Sequence, residues 1–454
     1  PSSEADVESL VIAAYHPLRG AWSDGIHTTS ENGLMFVLDA TTEILQGNYA
    51  VQQEATLHRY NPTTTGVTRF YDTFYNKISA MTLSIDRIAN SDVNENIKEQ
   101  GIAEIRCARG LLAYELFDMY GPLVIAPLEI LQNPLEEAPL ARLSHEEMVS
   151  FIETDLLAAI EGLPTPEEAT YGRFSQGLAR MILIRLYLHE KRWGDVLTQA
   201  NAILDMGYYE LEDDYVGLWD VEAPVDSREV IWAIPADYAG TSENQWQLMV
   251  LPSNFPERGG WGTIQSSWKF YDSFEEGDIR RTNLIAEYTG TDGVTYNRDN
   301  PANYMQLGPL PLKIAADADR STGLTTVDII QYRFADVLLS KAEALANMNG
   351  GGTQEAIDLV NIVRERAQIP PLELTGHTDI DSFNTMILLE RSHEYWCENG
   401  QYRSDLIRHG KYVEYANDLN GVSSASAPYK VLFPFSLERI SEGKGAFLQN
   451  PGYN

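Results

Sequence analysis

Residues 388–411, LLERSHEYWCENGQYRSDLIRHGK, set Arg391, Arg403 and Arg408 among Glu390, Glu394, Glu398 and Asp405. A guanidinium is a rigid fork of N–H donors that matches a carboxylate two bonds at a time. Charges of both signs packed this densely either pair inside a folded helical scaffold or converge on a ligand. The rest of the chain decides between the two.

The chain has 454 residues, enough for a large core, and is 44% hydrophobic and 10% aromatic, with 24 Tyr and 8 Trp. That aromatic share excludes disorder and leaves rings for a binding surface as well as a core. There are 66 acidic residues against 33 basic, for a formal net charge of −33. A field of that sign repels phosphate backbones and excludes bulk electrostatic binding to nucleic acid. It also disfavours sulfated or carboxylated polymers, leaving neutral ligands and divalent cations as tolerated partners. Cys107 and Cys397 stand far apart, each inside a helical pattern, so neither forms a redox or metal motif. No apolar run approaches the roughly 20 residues of a membrane-spanning helix. The chain starts at Pro1, which reads as a processed or truncated product whose targeting segment lies outside it.

Helical periodicity dominates the first half. In NIKEQGIAEIRCARGLLAYELFDMYG, Ile105, Ala108, Leu112, Leu116 and Met119 recur every three or four residues until Gly121-Pro122 stops the helix. Ser144 and Glu147 make a capping box in front of the next helix. Residues 174–207 read as two helices broken near Lys191-Trp193. Tyr187, Trp193, Val196, Ala200 and Ile203 stand at spacings close to the packing positions of a tetratricopeptide unit. A looser copy follows, with Ala335, Leu338, Ala342 and Leu345 on one helix and Ile357, Val360, Val363 and Ala367 on the other.

Between about 210 and 324 the periodicity fades, while Gly, Asn, Asp, Pro and aromatics rise. EVIWAIP reads as a short strand, YDSFEEGDIRRTNLI as helical, and 288–313 as loops and hairpins. A polar segment of this length between helical repeats reads as a functional insertion. The chain carries few motifs of catalysis or metal binding. The eight histidines offer no zinc spacing, and a P-loop, GxSxG and GxGxxG are missing. In DADRSTGLTTVD, Asp317, Asp319, Ser321 and Asp328 follow a calcium loop, but Gly323 falls one place late; a solvated loop is the plainer reading.

Four segments carry a resemblance to the SusD/RagB-type outer-membrane nutrient-binding proteins. They are AEIRCARGLLAYELFDMYGPLVIAP, IQYRFADVLLSKAEAL with AIDLVNIVRERA, the 388–411 stretch, and the closing LFPFSLERISEGKGAFLQNPGYN. In order they span most of the chain; Phe435 and Ser392 depart from the usual pattern. The resemblance implies a mainly α, single SusD-like domain over 1–454. Its tetratricopeptide-like scaffold covers about 1–209 and 325–415, with a ligand-binding insertion at about 210–324 and a tail at 416–454. It implies a non-enzymatic surface protein, without cofactor, that captures an oligosaccharide or polysaccharide and passes it to a TonB-dependent, SusC-like transporter. Outer-membrane attachment would run through a lipidated cysteine that is not in this chain. A protein-docking tetratricopeptide scaffold and an α-helical glycoside hydrolase are the alternatives. On this reading Glu390, Arg391, Arg403, Asp405 and Arg408 are scaffold charges.

Sugar rings stack a C–H face on an aromatic plane, and their hydroxyls need short polar partners. The insertion supplies Trp246, Trp261, Trp268, Tyr296 and Tyr304, with Asn303 beside them. Trp261 is the leading candidate because RGGWGT reads as a flexible turn that cannot bury it. Trp268 also reads as core. Tyr60 and Asn61, in LHRYNPTTTGVT, form a second candidate group, and Asp39 is a polar contact or a helix cap. Trp193, Trp232 and Trp396 read as core, whereas Trp22 and Trp219 have no evident place.

Overall fold

The computed structural model describes the chain except residues 21–23, 134–138, 222, 238–243, 316–323, 421–425 and 454. Its frame is a run of antiparallel helices, each packed on the next: Thr65–Ala89, Glu95–Tyr120, His145–Gly162, Gln176–His189 and Trp193–Asp205. The next helix in this stack is Phe334–Asn349, which packs on both Trp193–Asp205 and Gln354–Arg366. Residues 206–333 are therefore an excursion that leaves the stack and returns to it. The excursion is closed by an antiparallel pair, Val230–Ile234 with Ile329–Arg333, buried along both strands.

Local signals set the helix ends. Ser144 Oγ accepts the Glu147 N–H at 3.1 Å while a Glu147 carboxylate oxygen accepts the Ser144 N–H at 2.8 Å. This reciprocal pair satisfies two donors that a helix start leaves orphaned. Gly121 ends the Glu95–Tyr120 helix at φ +73°, where a side chain would be strained. Two parts of the sequence reading do not hold. The 271–285 stretch is not one helix: a helix at Trp268–Asp272 and a 3-10 turn at Ile279–Arg281 are separated by Gly277, whose φ of +86° no helix permits. Residues 24–64 are not part of the helical stack either; they hold short helices and the Gln46–Gly47 strand, which pairs with Ile264–Gln265 of the excursion.

The arginines of the 388–411 stretch lie inside this frame. Arg391 reaches Asp405 at 2.9 Å and Asp336 at 3.0 Å. Arg408 reaches Glu343 at 2.7 Å and Asp405 at 2.8 Å. Glu390 accepts from Arg280 at 2.6 Å and Arg364 at 2.9 Å, linking its helix to the excursion and to the Gln354–Arg366 helix. Arg403 donates to the Val431 carbonyl at 2.6 Å and lies 4.4 Å from the Phe433 ring centroid, which fastens the C-terminal tail. All five side chains are buried. A second network joins Arg333 to Glu229, Glu394 and Glu398, with Lys313 on Glu398 at 2.6 Å. Burial alone would raise the Glu394 pKa, but Arg366, Arg333 and Arg280 hold it down to about 2.

Candidate functional site

Trp261 is 52% exposed, and its backbone is pinned rather than loose. The Trp261 N–H donates to Leu248 O at 2.7 Å and the Thr263 N–H to Met249 O at 2.8 Å. The flanking glycines make this possible. A Cβ on Gly260 would stand 2.7 Å from both the Leu248 and Leu251 carbonyl oxygens, and Gly262 sits at φ +58°. The expected flexible turn is thus a tight one that holds the indole out.

The pairing of Gln46–Gly47 with Ile264–Gln265 extends past the strands: the Asn48 N–H donates to Thr263 O at 3.0 Å and its side-chain amide to Gly262 O at 2.8 Å. The next residue is Tyr49, 57% exposed, so two large exposed rings emerge from adjoining ends of one short ladder. Among the described residues no ring or cation stacks on Tyr49. Tyr49 borders a cleft of about 450 Å³ that also takes in Glu31, Asn32, Gln52, Thr65 and Arg69. Arg69 Nη1 donates to the Asn32 carbonyl, and burial pushes the guanidinium pKa down. One carboxylate oxygen of Glu31 has no hydrogen-bond partner among the described residues. An aromatic ring beside an amide, a carboxylate and a guanidinium can hold a polyhydroxylated ring by its face and its edge together.

Four of the expected residues are placed elsewhere. Trp246 is fully buried in the Trp246–Val250 helix, its Nε1–H donating to Pro311 O at 2.8 Å, because that helix turns its apolar residues into the core. Tyr60 is buried too, its hydroxyl donating to Lys430 O at 2.5 Å. Asn61 is exposed, but its side-chain oxygen is taken up by the Thr63 N–H and hydroxyl, at 2.9 and 2.7 Å. Its loop reaches the cleft through Thr64 and Thr65 instead. Asp39 is fully buried, accepts the Cys397 N–H at 2.9 Å, and has its pKa pushed by burial to about 8.

Tyr296 and Tyr304 belong to a chain of rings, Phe255–Tyr288–Tyr296–Tyr304, with centroids 5.2, 5.3 and 5.0 Å apart. Tyr296 is buried, its hydroxyl donating to Asp292 at 2.6 Å; Tyr304 is half-buried and Asn303 exposed. Phe255 and Asn254 tie this cluster to the Trp261 loop, since Tyr288 donates to Asn254 at 2.8 Å. Trp268 is half-buried with the Arg298 guanidinium 4.3 Å from its ring centroid, so one ring face is occupied. Trp232 and Trp396 are buried, Trp193 only half so. Trp219 is buried between Lys313 and Arg333, with the cations 4.4 and 5.2 Å from its ring centroid. Trp22 and the calcium-loop candidates Asp317, Asp319 and Ser321 lie outside the described residues. Asp328 accepts from Tyr171 at 2.5 Å and from the Ala236 N–H at 2.8 Å.

Comparison with known proteins gives one consistent result. Residues 228–453 match the model of the SusD family, and residues 3–188 match a family described as starch-binding associating with outer membrane. A SusD-like protein P2 of Formosa agariphila is 24% identical over 421 residues, 85% of this chain and 81% of that one. Among solved structures, a laminarin-binding SusD-like protein aligns with TM-score 0.79 at 22% identity over all of both chains. The surface glycan-binding protein A of Bacteroides thetaiotaomicron, solved with laminarihexaose, aligns with TM-score 0.77 at 18% identity over 99% of this chain and 100% of that one.

Proposed function

Because the chain belongs to the SusD family, we propose that it is a cell-surface glycan-binding protein that captures a neutral oligosaccharide or polysaccharide and delivers it, uncleaved, to a TonB-dependent SusC-like transporter. The observation that carries this reading is the paired emergence of Tyr49 and Trp261 from one short ladder, with Tyr49 on the border of the cleft of Glu31, Asn32 and Arg69. A neutral β-glucan or starch-type glucan is the favoured class. Relatives of this fold are named for laminarin and starch, and the net charge of −33 opposes an anionic polymer. Hydrolysis by a general acid and a nucleophile needs two carboxyl groups facing one bond. Glu31 is the one carboxylate lining the cleft among the described residues, which supports binding without cleavage. Attachment through a lipidated N-terminal cysteine and transport through a SusC-like barrel complete the proposal.

Affinity electrophoresis against neutral glucans, mannan, xylan and fructan, with chromatography of the same mixtures, tests it. At least one neutral glycan should retard the protein, Trp261→Ala should weaken that retardation, and no shorter sugars should be released. Release of shorter products, or free migration through the whole panel, would refute it.

A further inference from the structure

A second recess lies apart from the Tyr49 cleft. It is a groove of about 840 Å³ in the helical frame, and it shares no residue with that cleft. Four junctions meet there: the Lys191-Trp193 turn, the later part of the Phe334–Asn349 helix, the first half of the Ile380–Tyr395 helix, and the turn after the Gln401–Arg408 helix. We propose that this groove is a second carbohydrate site, taking a short neutral oligosaccharide; the choice of ligand class rests on the function proposed above, whereas the groove's chemistry does not.

Its floor is prebuilt. Arg408 and His409 both sit on Glu343, at 2.7 and 3.0 Å, and Asn347 and Asn384 exchange amide hydrogen bonds at 3.1 and 3.3 Å. A site fixed in this way does not have to be ordered by its ligand. Two rings from separate elements, Trp193 and Tyr415, border it. At the packing position of a tetratricopeptide-like pair, Trp193 would be buried; here it is half-exposed. Among the described residues no ring or cation stacks on it, and its indole N–H has no acceptor. A ring with an open edge and a free donor, beside two amides, matches a pyranose with its C–H face and hydroxyl rim.

The charges fix the ligand's sign. Lys191, Arg408 and Lys411 stand against Glu343, Asp381 and Glu414. Arg408 is paired with Glu343, and Lys411 with Glu414 at 3.0 Å. In a chain with twice as many acids as bases, this lining is locally balanced. A cancelled field attracts neither an anion nor a cation, which leaves the less buried groups of the wall, Asp381, Asn384 and Thr385, to meet hydroxyls. The volume lies within the range of roughly 300–1,000 Å³ of small-ligand pockets.

Calorimetric titration with laminarihexaose, maltohexaose and xylohexaose tests the assignment on three proteins: wild type, Tyr49→Ala/Trp261→Ala, and that double variant carrying Thr385→Arg. Thr385 is exposed on the groove wall, so the arginine obstructs the groove without entering the core. The double variant should keep one binding event for a sugar that the wild type binds, and Thr385→Arg should weaken it at least tenfold. Trp193→Ala should do the same in a protein whose melting temperature certifies the fold. If the double variant is silent where the wild type binds, the groove is no sugar site and the proposed function stands. If residual binding survives both Thr385→Arg and Trp193→Ala, the second site is elsewhere and this assignment is wrong. A wild type that binds none of the three overturns it as well, and with it the glucan class proposed for the first site.

Discussion

Single residues decide what the site can present. Trp261 stays exposed because Gly260 lets its loop press against two carbonyls, and a Cβ there would stand 2.7 Å from each. Gly260→Ala should therefore lower glycan affinity in affinity electrophoresis by displacing the indole, while the melting temperature, set by the helical frame, moves little. Trp261→Ala removes the stacked ring itself and should cost about 1.5 kcal/mol or more of binding, roughly tenfold in affinity. Wild-type affinity in both variants would remove Trp261 from the site. The exposure of Trp261 was legible in the sequence because its glycines are its neighbours. Tyr49 was not. Nothing in QGNYAVQQ marks it; its place beside Trp261 comes from a pairing in which Asn48 binds Gly262, 214 residues away. Trp246 and Tyr60 misled for the converse reason: aromatic side chains in polar surroundings fold inward when a partner carbonyl, Pro311 or Lys430, awaits them.

At the scale of elements, the helices and their caps were readable because they rest on local periodicity and on side chains three residues apart, as at Ser144 and Glu147. The 271–285 stretch was not, since one positive-φ glycine overrides its composition. Ion pairs then bind element to element. Arg403 holds the tail through Val431 and stands 3.8 Å from Asp118, with no exposed atom to spare. Removing one partner of a buried charge group costs about 3–5 kcal/mol. Arg403→Ala should lose stability of that order in denaturant unfolding, with the glycan affinity of the folded fraction unchanged. Normal stability with lost binding would make Arg403 a ligand contact. His58 joins two further segments, its Nε2 2.7 Å from Thr41 O and its Nδ1 2.7 Å from the Ser426 hydroxyl. Burial lowers its pKa to about 4. Below about pH 6.5 the unfolded chain takes up a proton that the folded chain refuses, so stability falls as pH drops from 6.5 to 4, by about 3 kcal/mol at most. His58→Gln should flatten that part of a melting-temperature profile; an unchanged slope would assign the acid sensitivity to other groups.

For the whole molecule, the division of labour follows from topology. A stack of helices locked by internal ion pairs carries an excursion at 206–333, and the excursion pairs with residues 46–48 so that Trp261 and Tyr49 emerge from one ladder, Tyr49 on the border of a cleft. The frame's interior charges are spent on one another, and a neutral ligand would be met by rings and by the hydrogen-bonding groups of the cleft. Binding of a neutral glycan should accordingly change less than twofold between low salt and 1 M sodium chloride, where the Debye length shrinks to about 3 Å. A steep salt dependence, read by calorimetry, would indicate an anionic ligand instead. The most direct test is a crystal structure of the protein with the glycan that retards it most in the panel. Sugar rings should lie on Trp261 and Tyr49, with hydroxyls on Asn32, Glu31 or Arg69. Sugar bound elsewhere, with both of those rings bare, would contradict it.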